Sequence, residues 1–283
     1  MLNGCAYILT VDVGNTFIRF GLFAEDSAAA QERPLATCEI TTPSSITADE
    51  ARMRLAQVMG ALSADAGVPG VLVPAGAVLS CVVPALERPW KAALSRTCTG
   101  RVLTVGPGLK TGMPVHYDDP AEIGPDRIAD AVAARAVYGS PCIVIDLGTT
   151  TNIEVIDAHG TFVGGVIAPG LALGARSLSA AAARLPQVEP SAPTHVIGRN
   201  TREAMRSGVV LGEVARIDGM LDMVLAEMRA TKAAGEGSVP IVITGDDSEA
   251  LAALVGHSLT VDDALTLRGL AELYRINQKP HRV

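Results

Sequence analysis

The sequence predicts an α/β protein of two related halves, each a mixed β-sheet flanked by helices. The main observation is a pair of matching turns about 130 residues apart. The apolar run Tyr7-Ile8-Leu9-Thr10-Val11 ends in Asp12-Val13-Gly14-Asn15-Thr16, and a second β-run follows from Phe17 to Phe23. Likewise Cys142-Ile143-Val144-Ile145 ends in Asp146-Leu147-Gly148-Thr149-Thr150, followed by the run Asn152 to Ile156. The second observation is that each hairpin is followed by strand and helix patterns in alternation, the mark of a mixed α/β half. Two such hairpins imply two related half-domains facing each other across a nucleotide. Each Gly lets backbone N–H groups approach phosphate, and each Asp can hold Mg²⁺ or another cation.

The elements follow in order. Residues 6–13 and 17–24 read as a hairpin, and 34–41 as an added strand. Thr47 to Leu62 reads as a helix with Asp49 and Glu50 in its first turn. Val78 to Val83 is a buried strand, Pro84 opens a helix to about Ser95, and Arg101 to Val105 is a strand. Gly106-Pro107-Gly108 punctuates the chain. A loop through Asp118-Asp119-Pro120 leads to a helix near Asp126 to Val137. The second half has strands at 142–146, 151–157 and 161–168, helices at 171–184 and 200–230, a strand at 239–244 and a last helix at 264–276. The expected division is residues 1–115 and 116–283.

The 283 residues are 48% hydrophobic and 19% charged, with a formal net charge of −7. This is an ordinary globular composition. Aromatics are only 3%, so the core must come from Ala, Val, Leu and Ile. The acidic balance and the lack of a basic stripe argue against a nucleic-acid partner. Five cysteines are scattered and never form C-x-x-C. Cys5, Cys81 and Cys142 lie in or beside apolar runs, as reduced cytoplasmic thiols do. The N-terminus has no basic segment or long apolar core, so no signal peptide is expected. Gly, Asp and Pro interrupt every apolar run before membrane-spanning length, which predicts no membrane association.

Several chemistries are excluded by their missing motifs. There is no P-loop, no H-E-x-x-H and no G-x-S-x-G. The five histidines show no metal-ligand spacing. Outside the hairpins, the notable polar cluster is Gly124-Pro125-Asp126-Arg127. Gly124 suits a helix N-cap and Pro125 the first helical position, which puts Asp126 and Arg127 in the first turn. That pattern fits the charged start of a surface helix. It also fits an acid and a guanidinium that meet a hydroxyl and an anionic group on one substrate. A third glycine turn, Gly164-Gly165-Val166-Ile167-Ala168-Pro169-Gly170, ends a strand and starts a helix, whose N-terminus can face anions. Ile241-Val242-Ile243-Thr244-Gly245 is a buried strand ending in Thr-Gly.

Taken in order, these elements resemble the type III pantothenate kinases, a branch of the acetate kinase, sugar kinase, heat-shock chaperone and actin superfamily. The matching pieces are Asp12 to Thr16 with Phe20-Gly21-Leu22-Phe23, Tyr117-Asp118-Asp119-Pro120 with Gly124 to Arg127, and Asp146 to Thr151. Gly164 to Gly170, Leu185-Pro186, Asn200-Thr201 with Ser207-Gly208, and Leu265 to Leu270 leading to Tyr274 and Asn277 continue the match over almost the whole chain.

The resemblance implies two actin-like (ribonuclease H-like) half-domains and ATP-dependent phosphorylation of pantothenate to 4′-phosphopantothenate, the first committed step towards coenzyme A. By the resemblance, Asp126 would take the proton from the substrate's primary hydroxyl. Arg127, with Gly124, Pro125 and Tyr117, would position pantothenate. Asp12, Val13, Gly14, Asn15, Thr16, Phe17, Ile18 and Arg19 would wrap the ATP phosphates, with Asp12 near Mg²⁺. Asp146 would bind a monovalent cation, K⁺ or NH4⁺, and Thr149 would contact ATP. The family also implies a homodimer with pantothenate near the subunit contact, for which helices 171–184 and 128–137 offer apolar surface.

The sequence departs from the family pattern at five places. Pro125 replaces Ala. Asn152 and Glu154 replace Thr and Asp. Ala182 stands where a substrate-contacting Thr is expected, and Asp246 where a second Gly is usual. The competing readings are a non-catalytic ligand-binding or regulatory relative and a kinase for another small alcohol.

Overall fold

The computed structural model describes residues 6–25 and 32–278; Cys5 lies outside them. The chain packs as two compact units, Met1–Val137 with Ala264–Val283, and Tyr138–Asp263.

In the first unit the sheet is ordered β3-β2-β1-β4-β5. Its strands are β1 (Tyr7–Val13), β2 (Phe17–Ala24), β3 (Ala36–Thr41), β4 (Gly76–Cys81) and β5 (Val102–Thr104). β1 runs antiparallel to β2 and parallel to β4. Alternation along β1 and β2 sends Leu9, Val11, Ile18 and Phe20 to one face, where they pack with Leu55, Leu62, Leu86 and Trp90. These last come from α1 (Ala48–Asp65) and α2 (Pro84–Thr97). The Phe20 and Trp90 rings stand 5.6 Å apart, tilted by 60°, a favourable aromatic pairing. Helix α1 starts at a capping box, in which Thr47 accepts from the Glu50 N–H and Glu50 accepts from the Thr47 N–H.

The opposite face carries α8 (Leu265–Ile276), whose Leu267 and Ala271 cluster with Phe23. Helix α3 (Pro125–Tyr138) crosses α8 closely, because a Cβ at Gly269 would run into the Ala129 carbonyl. Residues Arg127 to Ala134 are buried. This corrects the expectation that helix 128–137 presents a free surface. The packing also differs from the 115/116 division read from the sequence. Both α3 and α8 are grouped with the first sheet, because α8 lies against β1 and β4.

The second unit repeats the topology, with order β8-β7-β6-β9-β10. The strands are β6 (Cys142–Leu147), β7 (Thr150–Ile156), β8 (Phe162–Pro169), β9 (Ile241–Gly245) and the short β10 (Thr260–Val261). Again the first strand is antiparallel to the second and parallel to the fourth in chain order. Its core joins Ile143, Ile145, Ile153 and Ile243 to Val214, Ile217 and Leu221 of α6 (Gly212–Ala230).

The helix expected over 200–230 is present as α5 (Thr201–Arg206) and α6 joined by a π-helical turn, Ser207–Leu211. The Ser207 hydroxyl there donates to the Val196 carbonyl. Helix α4 (Leu171–Ala181) buries only Ala175. A short α7 (Ser248–Ala252) completes the unit.

Candidate active site

Asp12 is the residue before the last of β1. Across the sheet it is in register with Arg19 on β2 and Ser80 on β4. Asp146 holds the matching place in the second unit, in register with Asn152 on β7 and Thr244 on β9. The two expected hairpins are thus built alike, except that the first turn is one residue longer. Val13 pairs with Ile18, whereas Leu147 pairs with Thr151. The first turn closes by Gly14 N–H to the Phe17 carbonyl at 3.0 Å, the second by Gly148 N–H to the Thr150 carbonyl at 2.9 Å. Thr42 pins the first turn from β3's end, its hydroxyl donating to the Gly14 carbonyl at 2.7 Å. Asn15 and Thr16 are exposed at the tip, and Arg19 pairs with Glu39 at 2.9 Å.

Asp12 is buried beside the buried Ser80, and its Oδ1 has no hydrogen-bond partner. Burial raises the Asp12 pKa to about 6, helped by the negative charge of Asp126, while the Ser80 hydroxyl and the Arg19 guanidinium act in the opposite sense. Two repelling carboxylates with an orphaned buried oxygen fit a hard divalent cation. No group of three His, Cys, Asp or Glu among the described residues can hold a metal alone. Such an ion would complete its shell with water and phosphate oxygens, as Mg²⁺ does.

Asp126 lies in the first turn of α3. Its Oδ1 accepts from the Arg127 N–H at 2.8 Å, and the carboxylate folds back over Gly124, where a Cβ would collide with it. That close approach explains the glycine. Burial raises the Asp126 pKa, while the Arg127 N–H and guanidinium oppose the shift. Arg127 itself is buried and Tyr117 is half-buried.

A cavity of about 570 Å³ opens beside these groups in the first unit. Its wall is mainly apolar: Cys81 at the end of β4, the loop from Val105 to Leu109, Val115, Ile123, and Pro125 and Ile128 of α3. Burial pushes the Cys81 thiol up to about 11, so it acts as neutral wall.

In the second unit, Thr149 sits in the turn after β6, and Gly170 packs against it. The Gly170 N–H donates to the Thr149 carbonyl at 3.0 Å, and a Cβ there would strike the Gly148 carbonyl. Ala182 is the C-cap of α4. Sequence reasoning missed the brace behind this turn. Buried Glu213 on α6 accepts from the Thr151 hydroxyl at 2.6 Å and pairs with Arg216, which donates to the Pro169 carbonyl. The start of β7, just after the turn, and the end of β8 beside it are thereby tied to one helix. An acid among the residues of an amphipathic helix gives no sequence signal for this. Ser80 had a signal, being the one hydroxyl in the run Ala77-Val78-Leu79-Ser80-Cys81.

Paired five-stranded sheets of one topology, each with an Asp-Gly turn after its first strand, define an actin-like protein of two half-domains. Solved structures share this fold. A conserved putative Baf family transcriptional activator from Campylobacter jejuni superposes with a TM-score of 0.56 at 18% identity, covering 95% of this chain and 98% of that one. A ROK family glucokinase from Streptomyces griseus, in complex with glucose and AMPPNP, gives 0.50 at 12% identity, covering 96% and 99%.

The chain belongs to the type III pantothenate kinase family, whose model matches residues 8–223. It is 38% identical over 279 residues to the type III pantothenate kinase of Koribacter versatilis, covering 97% of each chain. It is 39% identical over 274 residues to type III pantothenate kinase 2 of Symbiobacterium thermophilum, covering 96% of this chain and 97% of that one.

Proposed function

We infer that this chain transfers the γ-phosphoryl group of ATP to the primary hydroxyl of pantothenate, giving 4′-phosphopantothenate for coenzyme A synthesis. The observation that carries the reading is the family match over nearly the full length; Asp12, Asp126, Arg127 and Asp146 are the residues of this sequence to which we assign the chemistry. As a kinase it uses ATP and a divalent cation, which supplies charge neutralisation at the phosphates when bound.

The residues divide the work by chemistry. Asp126 accepts the hydroxyl proton as the oxygen attacks phosphorus, and ADP leaves. Its raised pKa makes it a better base than an ordinary Asp. Phosphoryl transfer passes through a loose transition state, so alignment matters more than base strength. Arg127, Gly124, Pro125 and Tyr117 orient the alcohol substrate, and the apolar cavity beside Asp126 takes its branched aliphatic part. The segment Asp12 to Arg19 wraps the phosphates with Asp12 on the divalent ion's side, Thr149 contacts ATP, and Asp146 holds K⁺ or NH4⁺.

The active species is a homodimer. The exposed apolar residues Ile167, Leu178, Val196 and Ile197 of the second unit supply candidate contact surface, and light scattering tests it. Among the described residues no helix is long and apolar enough to cross a membrane; the proposed location is the cytoplasm. The deciding experiment incubates purified protein with ATP, Mg²⁺ and K⁺, with and without pantothenate, and reads ADP and phosphopantothenate. ATP binding without phosphopantothenate at millimolar pantothenate would overturn the kinase reading in favour of a ligand-binding role.

A further inference from the structure

Asn277 ends the run of matching motifs. It caps the C-terminus of α8, and its side chain reaches a loop 167 residues away in sequence. Its Nδ2 donates to the Lys110 carbonyl at 2.8 Å, and its Oδ1 accepts from the Lys110 N–H at 3.2 Å. One amide therefore pairs with both backbone groups of a single residue, as a neighbouring strand would. The amide is itself held in place. Nδ2 also donates to the Leu273 carbonyl at 2.8 Å, and Arg101 donates to the Asn277 carbonyl at 2.8 Å.

The loop that Asn277 grips lines the cavity. Leu109 and Thr111, the residues on either side of Lys110, both face it. A second pin stands two residues on, where Arg135 of α3 donates to the Gly112 carbonyl. Between Gly106 and Gly112 the backbone has few other supports: a Leu109 N–H to Gly106 carbonyl turn at 3.1 Å and the Thr111–Met113 hydroxyl bonds. A glycine-rich segment of this kind has many conformations open to it, and a fixed cavity wall requires that they be restricted.

We propose that Asn277 is a positioning residue that latches loop 106–112 as a wall of the cavity, and so sets affinity for the alcohol substrate but not for the nucleotide. This rests on the cavity being the alcohol site, as argued above. The chemistry is specific to an amide. Asp offers no donor to the Lys110 carbonyl and adds a repelling charge, and Ala offers neither donor nor acceptor.

The test combines amide hydrogen exchange with kinetics. In the wild-type protein the Lys110 amide should exchange at least about tenfold more slowly than an unbonded loop amide, although Lys110 is exposed. Asn277→Ala and Asn277→Asp should both accelerate exchange across 106–112 while β1 and β4 stay protected. Both should raise the KM for pantothenate by about tenfold, with the KM for ATP changed less than about twofold. A merely structural role would lower the melting temperature and kcat without separating the two KM values. Fast exchange of Lys110 in the wild type, unchanged loop exchange in Asn277→Ala, or an equal rise in both KM values would overturn the latch. If the variants do not fold, the wild-type exchange at Lys110 decides alone. Protein that phosphorylates no pantothenate defeats the kinase reading, while the exchange result still stands or falls by itself.

Discussion

The carboxylate of Asp126 raises the proton affinity of Asp12: the two acids, one near the end of β1 and one at the start of α3, repel each other within the first unit. Burial is the larger cause, and together the two effects bring Asp12 to about 6. Without a cation, the ionised pair is a source of instability. A cation bound there would offset that repulsion, because the charge that destabilises the ligand-free protein attracts the ion.

A stability measurement follows from the sign of that shift. An acid whose folded pKa exceeds its unfolded value binds its proton more tightly when native. Stability of the ligand-free protein should therefore fall through this group as pH rises from about 4 to about 6, then level off. The cost at pH 8 is on the order of 3 kcal/mol for a shift of about two pKa units. Asp12→Asn cannot ionise, so without ligand it should melt above the wild type at about pH 8, with the gap closing near pH 4. A gap independent of pH would show that Asp12 is not the titrating group.

Asp126→Asn should cut turnover by roughly 10²–10⁴-fold, the usual contribution of a general base, while the fold survives. The acid limb of kcat/KM in the wild type should lie above the range of an ordinary Asp, since burial raises Asp126. The variant should also ease the titration of Asp12 downward without restoring it fully, because burial rather than Asp126 is the main cause. Near wild-type turnover would remove Asp126 from the mechanism.

Much of this was legible in the chain. The two hairpins announced themselves because a buried strand ending in Asp and Gly has a distinct pattern. The start of α3 was equally plain from Gly124-Pro125, which suit a cap and a first turn. What could not be read were partners. The apolar stripe of α8 shows that it packs, but not that it packs on the first sheet rather than the second. For the same reason the Ala-rich helix α3 offers apolar surface in the sequence, although Arg127 to Ala134 are buried, with Gly269 of α8 close against Ala129. Strand β10, with two residues, is too short for alternation to show. The links between Glu213 and Thr151 and between Asn277 and Lys110 join residues far apart in sequence, and no local pattern encodes them.

The row Asn152–Asp146–Thr244 across β7, β6 and β9 presents oxygen atoms, and the buried Asn152 Oδ1 makes no hydrogen bond to the protein. Such a set suits a hard cation. Turnover in K⁺ should exceed turnover in a bulky tetraalkylammonium salt by about tenfold or more, and Asp146→Ala should abolish the difference. Equal rates of the wild type in both salts would count against a cation at Asp146.

Thr151→Val tests the brace behind the second turn. It removes a hydrogen bond to a charged, buried partner, a loss of about 1.5–3 kcal/mol. The shape is kept, and Glu213 retains Arg216. Since Thr151 follows directly on the Gly148–Thr150 turn, loss of its anchor to α6 should raise the KM for ATP while the KM for pantothenate changes little. Calorimetry and initial-rate kinetics give both quantities. A stability loss with unchanged nucleotide affinity would confine the brace to folding.

Ala182 is the departure from the family pattern with the clearest chemical consequence, since a methyl group replaces a hydroxyl expected to touch substrate. The backbone does not oppose reversal. Ala182 has φ −132° and ψ 107°, an extended conformation that a β-branched residue adopts readily. It is half-buried, so there is a surface for the added atoms to meet. One hydrogen bond to a bound polar group is worth on the order of 1 kcal/mol, rising to about 3 where the partner is otherwise left buried and unpaired. That range corresponds to roughly 5- to 150-fold in affinity. Ala182→Thr should therefore lower the KM for pantothenate by about fivefold or more and leave the KM for ATP alone. An unchanged pantothenate KM in an otherwise active enzyme would show that residue 182 does not touch the substrate. A chain silent towards pantothenate in both forms, yet binding ATP, would mean that the fold serves to bind a ligand instead of to phosphorylate one.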